Sequence, residues 1–284
     1  MKNKLPFIGL FFVIIIYGFC NILYRFIGST NYLSVAFFIL VFSSLLTIVI
    51  LLASKKLHEL KSLKKIKLTF ALGVINVSVW LLIYFSIMNS SIANAVLGFI
   101  TAPIFVAMLS PLILKENINK QILIALVIAV MGILLIFDPR NLTQSFISIG
   151  VISGIFVGFF SGMNSIIGRK LKDLYSPASL AFLGSFIGML IMFPIYLLSN
   201  PIIPNTISMI IILTISTVGI TGGILVYYSL KFIIAQSVQI ILLLEPLISI
   251  IAAFVVFLEV PSLLTIVGGI LLLFADLIII RNQR

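Results

Sequence analysis

Charge is what this sequence has least of. Asp, Glu, Lys and Arg make up 9% of its 284 residues, against about 25% in an ordinary soluble domain, while 62% are hydrophobic and the mean hydropathy is +1.35. No water-soluble core hides that much apolar surface, so the chain reads as an integral membrane protein. Its one cysteine, Cys20, excludes an intramolecular disulfide framework. Its one histidine, His58, stands among lysines without partner histidines, which argues against a metal site. There is no Gly-Lys-Ser/Thr phosphate loop for direct ATP drive, no Ser-His-acid set and no soluble segment to hold an active site, so catalysis and a bound cofactor are not expected. The net charge of +11 does not point to nucleic acid, because the basic residues fall between apolar segments.

What is present in abundance is long apolar runs. A bilayer core of about 30 Å takes roughly 20 apolar residues per helix. Segments of that kind occupy residues 5–27, 32–54, 68–88, 92–114, 120–138, 148–168, 177–199, 206–230, 234–258 and 262–281. They are too long and too unalternating for the roughly ten-residue strands of a membrane barrel. The first follows Lys2 and Lys4 but runs on without a small-residue cleavage pattern, so it reads as a retained helix and not a signal peptide. Of the 18 basic residues, 16 fall on one side of this ten-span topology, leaving Arg25 and Arg140 on the other. That asymmetry places both termini in the cytoplasm of a multi-pass cell-membrane protein. Within the loop 54–68, Leu57, Leu60, Leu63 and Ile66 recur at three-residue spacing among lysines, as an interfacial helix or as an ordinary positive-inside loop.

The chain also repeats itself. An offset of 143 residues aligns Asn21 with Asn164, Tyr84 with Tyr227, Ser86 with Ser229, Pro103 with Pro246 and Glu116 with Glu259. Asn, Pro and Glu are scarce here, so these matches are not the chance coincidence of apolar residues. Each copy then holds five helices, over residues 1–138 and 148–281, and an odd number inverts the second copy relative to the first. Inverted repeats characterise secondary transporters with a site near the bilayer midplane. The expected fold is all-α, with ten transmembrane helices as two inverted five-helix repeats.

A mid-helix proline followed thirteen residues on by a glutamate, as in Pro103 to Glu116 and in Leu244-Glu245-Pro246 to Glu259, resembles the EamA-like repeat of the drug/metabolite transporter superfamily. The resemblance covers nearly the whole chain. It implies a ten-helix exporter of amino acids, other metabolites or toxic compounds, with a central cavity lined from both halves. This chain departs from the pattern at Asn117 and Val260, where family copies often carry a basic residue.

Several side chains stand out as candidate binding or coupling groups. Glu245 lies about eleven residues into the ninth helix, where an ionisable group is costly and usually faces a cavity or a partner. It suits a proton that is taken up and released, or a cationic group on the cargo. A structural acid bonded to a neighbouring helix is the other reading. Pro246 leaves the carbonyl of Leu242 without its helical donor, and Pro103 is expected to kink helix 4 at the matching depth. Asn76, Trp80 and Tyr84 recur at four-residue spacing and form either a cavity wall or a packing face. Asn21, Asn164, Tyr227 and Gln239 join them, with Tyr17, Tyr228 and Gln236 behind. Glu116 and Glu259 read as structural acids at helix ends, and Asp276 as a partner of Arg281 near the end of the last helix. The expected partners are a small-molecule substrate, the lipid bilayer and coupling protons. A facilitator without proton coupling, and a non-transporting receptor or scaffold, are the alternatives.

Overall fold

The computed structural model of the chain describes residues 4–27, 31–61, 64–89, 101–136, 149–199, 201–258 and 262–282. Among them there are helices and connections but no strand. We number the α-helices α1 (Leu5–Cys20), α2 (Tyr32–Ala53), α3 (Ile66–Asn89), α4 (Thr101–Leu114), α5 (Lys120–Ile136), α6 (Ile149–Leu171), α7 (Pro177–Leu198), α8 (Thr206–Ser229), α9 (Ala235–Leu242), α10 (Glu245–Phe257) and α11 (Leu263–Asn282). Six spans, the α9–α10 run among them, are long and apolar enough to cross a membrane, and α1, α4 and α5 are shorter apolar helices. Large apolar side chains such as Phe12, Val49, Leu112, Leu198, Ile207 and Phe274 lie exposed on the outside. That surface is stable only against hydrocarbon, so the protein is a multi-pass membrane protein.

Two expected helices are shaped differently from a single straight span. The first gives way at Asn21 to a 3₁₀ stretch, Asn21–Phe26. The ninth is broken outright: α9 stops at Leu242, Leu243 and Leu244 form a turn, and α10 restarts at Glu245 with Pro246 in its first turn. A proline lacks the N–H that would bond back to Leu242, so the ladder stops before it. A first-turn position tolerates that loss because its N–H needs no helical acceptor. Pro103, expected to kink helix 4, is the third described residue of α4, and the chain before Thr101 lies outside the described residues; Pro111 lies inside α4. Residues 90–100, the start of the expected fourth span, lie outside the described residues, as does Glu259.

The helix pairings fall into matched sets. α3 packs on α6 and α7, and α8 packs on α1 and α2; α4 lies against α6, as α9 and α10 lie against α1. α2 crosses α7, α4 meets α9, and α5 pairs with α11, both also touching α9. Lys115 and Leu258, which are 143 residues apart, close α4 and α10 in the same left-handed backbone, at φ of 59° and 57°. Left-handed residues commonly terminate helices, and two such ends at one offset show the repeat in the backbone.

Four connections gather at one end of the bundle. Tyr175 Oη donates to the carbonyl of Lys64 (2.9 Å) and accepts from its N–H (2.6 Å). Glu59 accepts from the Ser176 N–H and the Ser179 hydroxyl, both at 2.7 Å, which caps α7 with a carboxylate where its dipole favours one. Arg169 Nε bonds Glu116 Oε1 at 2.7 Å, while Arg169 Nη1 donates to the carbonyl of Leu230. The Ala235 N–H reaches Glu116 Oε2 at 3.4 Å. Glu116 thereby joins the end of α4 to Arg169 of α6 and to the start of α9. The loop 57–60 is a short 3₁₀ turn whose Leu57 and Leu60 pack against Leu51, Ala178 and Phe182. Asp276 departs from expectation: it is 4% exposed, and its Oδ2 has no hydrogen bond among the described residues. Its neighbours Ala275 and Ile279 are fully buried in the cluster that holds α5 to α11, and the side chain is carried inward with them.

Candidate functional site: a cavity at a broken helix

The turn between α9 and α10 forms part of the wall of a cavity of about 250 Å³. α1 contributes Tyr17 and Cys20, with Asn21 and Tyr24 from the 3₁₀ stretch; α3 contributes Asn76 and Trp80; α6 contributes Ser161, Asn164 and Ser165; α8 contributes Gly219 and Tyr227. Gln239 of α9 and Glu245 and Pro246 of α10 complete the polar side. Seven of the eight binding or coupling residues named from the sequence are thus brought together, from both halves of the chain.

The eighth, Tyr84, is not on the wall. It is buried in a cluster with Val35, Ile39, Ile83 and Ile212 and lies edge-on to Tyr24 with ring centroids 5.6 Å apart. Four-residue spacing on a helix drifts by about 40° per step, so Tyr84 is rotated about 80° from Asn76. The stripe therefore divides, its first two members serving the cavity and its third packing. Tyr228 lies against Phe232, and Gln236 is buried with its amide donating to Ser110, so neither lines the cavity.

The polar groups are tied to one another across helices. Asn21 Nδ2 lies 3.0 Å from Glu245 Oε1 and 3.1 Å from Ser249 Oγ, and the Ser249 hydroxyl bonds back to the Glu245 carbonyl at 3.2 Å. Tyr227 Oη donates to Asn164 Oδ1 (2.5 Å), Gln239 Nε2 to Ser165 Oγ (2.6 Å), and Tyr17 Oη to the Gly219 carbonyl (3.1 Å). Asn76 Nδ2 bonds the Leu72 carbonyl one turn back (3.0 Å). Two glycines make room for this wall. A Cβ on Gly222 would stand 2.5 Å from Tyr17 Oη, and one on Gly184 would stand 2.6 Å from Asn76 Nδ2.

The matched asparagines have unlike surroundings. Asn21 meets Glu245 and Ser249, whereas the residues 143 positions before those two are Ala102 and Val106. Asn164 instead accepts from Tyr227. The carboxylate is therefore an asymmetric addition to a duplicated frame, and it sits in the first turn of α10, where the positive end of the helix dipole favours a negative group.

Ser161, Ser165 and Ser249 were not singled out in the sequence. Small hydroxyls are common in membrane helices as packing residues, and nothing local separates a wall serine from a packing one. Among the described residues no three His, Cys, Asp or Glu side chains gather to hold a metal.

A bundle with a polar cavity at a helix break, lined from both halves, is the build of a membrane transporter. The model of the EamA-like transporter family matches the chain twice, over residues 5–138 and 148–281, so the protein belongs to that family. A Helicobacter pylori protein named an uncharacterised transporter is 34% identical over 184 residues, spanning 61% of this chain and 59% of that protein. One of the same description from Archaeoglobus fulgidus is 27% identical over 250 residues, 83% of each. A solved crystal structure, 11% identical, aligns over 99% of both chains with a TM-score of 0.78, which shows a shared fold.

Proposed function

We propose that the protein is a secondary transporter that moves a small metabolite, amino acid or toxic compound across the cell membrane by alternating access. The observation that carries this reading is the break between α9 and α10, which delivers Glu245 into a cavity lined from both halves. Irregular backbone is tolerated at membrane depth where it lines a cavity, and such breaks commonly form transport sites. The matched helix pairings support ten spans as two inverted five-helix repeats, divided at 1–138 and 148–281. The basic connections at one bundle end support both termini lying in the cytoplasm. Export is the direction implied by the family resemblance, and no catalytic step or cofactor enters this reading.

Glu245 is the group we assign to coupling or to cargo, with Asn21 setting its orientation. Alternating access then requires the other strongly tied feature to yield. The Glu116–Arg169 pair, with the Leu230 carbonyl and Ala235 N–H, fastens the cytoplasmic ends of α4, α6, α8 and α9 and parts when the site opens to that side.

The test is a resistance and efflux screen across amino acids, their toxic analogues, nucleobases and cationic drugs, comparing wild type with Glu245→Gln at equal membrane levels. Export by wild type alone places Glu245 in the mechanism. Export by both moves the working groups to Asn76, Trp80 and Tyr227. If reconstituted vesicles also show no exchange of any of these compounds, the transporter reading fails. A cargo flux that ignores an imposed pH gradient identifies a facilitator.

A further inference from the structure

We propose that the cavity selects a singly charged organic amine with an apolar body, taken as the cation and held by Glu245. This rests on the transporter reading and names its substrate class.

The first ground is the charge inventory of the wall. Among the described lining residues Glu245 is the one acid, and there is no Lys, Arg or His. A buried carboxylate without a cationic partner in the protein is costly unless it takes up a proton or something outside the chain supplies the positive charge. Glu245 Oε1 has the Asn21 amide, a neutral donor; Oε2 accepts no hydrogen bond from the described residues. The carboxylate is thus oriented without being neutralised.

The second ground is the lack of a charged donor for an anion among the described lining residues. A carboxylate or phosphate on the cargo needs charged donors or a cluster of free N–H groups. Here both N–H groups of Asn21 and one each of Asn76 and Gln239 are already given to the protein, and the Tyr17 and Tyr227 hydroxyls donate to Gly219 and Asn164. A zwitterion would bring its own carboxylate into a site that already contains one.

The third ground is the remainder of the wall. Tyr17, Tyr24, Trp80 and Tyr227 offer aromatic surface, which attracts cations as well as apolar groups. Repeat symmetry supplies no second acid, since Ala102 stands at the position matching Glu245, so the site is matched to one positive charge.

Trp80 is the one tryptophan in the chain and lies on the wall, so its fluorescence reports this cavity without labelling. The purified full chain in lipid nanodiscs would be titrated with phenethylamine, with phenylalanine, and with 2-phenylethanol, three ligands of one body and different charge. The expected result is a saturable Trp80 response to the amine, with apparent affinity at least about tenfold above those of the other two. Glu245→Gln should remove that preference, and Glu245→Asp should keep it at lower affinity. Equal binding of amine and alcohol, tighter binding of phenylalanine, an unchanged preference in Glu245→Gln, or no saturable response to the amine would each overturn the proposal. If neither variant folds, the order of the three ligands on the wild type decides alone. Counterflow in proteoliposomes separates the two readings. Amine binding without counterflow leaves the cation site and sinks transport, whereas counterflow of phenylalanine but not of the amine does the reverse.

Discussion

At the residue scale, the cavity depends on side chains held by close approaches as much as on those that line it. Gly222 lets the Tyr17 ring lie against α8, where its hydroxyl reaches the Gly219 carbonyl. An added methyl collides with the far end of the Tyr17 ring, which can swing away. Gly222→Ala should therefore leave the melting temperature within a few degrees of wild type while displacing Tyr17, and transport should fall by about tenfold or more. Uptake in proteoliposomes checks this, and full activity would show that Tyr17 is not needed where it stands. Glu59 offers a contrasting case outside the membrane. Partial burial raises its carboxyl pKa, but the Ser176 N–H, the Ser179 and Ser176 hydroxyls and nearby Lys56 outweigh that and hold it below its ordinary 4.5. A depressed carboxyl stabilises the fold above the unfolded-state pKa, and the contribution disappears as pH falls through the lower folded value. The melting temperature of wild type should thus exceed that of Glu59→Gln by at most a few degrees near pH 7, and the gap should close below about pH 4. A gap that persists or widens in acid would mean that the carboxylate charge is not what caps α7.

At the element scale, the informative unit is the break between α9 and α10. Its existence was half legible. Pro246 and the unpartnered Leu242 carbonyl were readable because proline's missing donor is a local property, and so was the cost of Glu245 at that depth. That the chain would use this to stop one helix and start another was not readable, since a kinked continuous helix satisfies the same local rules. The outcome was set by packing of α9 on α4 and α6, through Gln236 with Ser110 and Gln239 with Ser165, while α10 packs on α1. Pro246→Ala restores the donor and removes the obstacle to a continuous helix, an obstacle of about 3 kcal/mol in a helix interior. We expect unchanged or raised thermal stability, hydrogen-exchange protection of the new amide at residue 246, and transport lowered at least several-fold as Glu245 loses its place in a first turn. Full transport in a variant whose new amide at residue 246 is protected would show the break to be dispensable.

At the scale of the whole molecule, the two halves are tied at the basic end by Glu116 and Arg169, which are only 15% and 13% exposed. Removing one partner of a pair buried to that extent costs between the values for surface and fully buried pairs, about 1–3 kcal/mol. Glu116→Gln should lower stability by that amount and bias the protein toward opening at this end. Cys20, the chain's one cysteine, lines the cavity and serves as the reporter. Its modification by a small membrane-impermeant thiol reagent should speed up several-fold in the variant when the reagent is applied from the basic side, and bound cargo should slow it. Equal rates in wild type and variant would show that the latch does not control access.

Membrane residence, the helical class, the duplication and most of the cavity's polar residues were determined by the sequence alone. Hydrocarbon permits few ways to satisfy a backbone, and scarce polar residues in apolar helices stand out against their surroundings. The division of Asn76, Trp80 and Tyr84 between cavity and core, the inward burial of Asp276, and the serines of the wall were decided by tertiary structure. Each depends on which helix lies opposite, and at 143-residue separation two matched asparagines can find a carboxylate in one case and a tyrosine in the other. Local patterning reports a residue's own helix face, while its partner is chosen by the packing of the whole bundle.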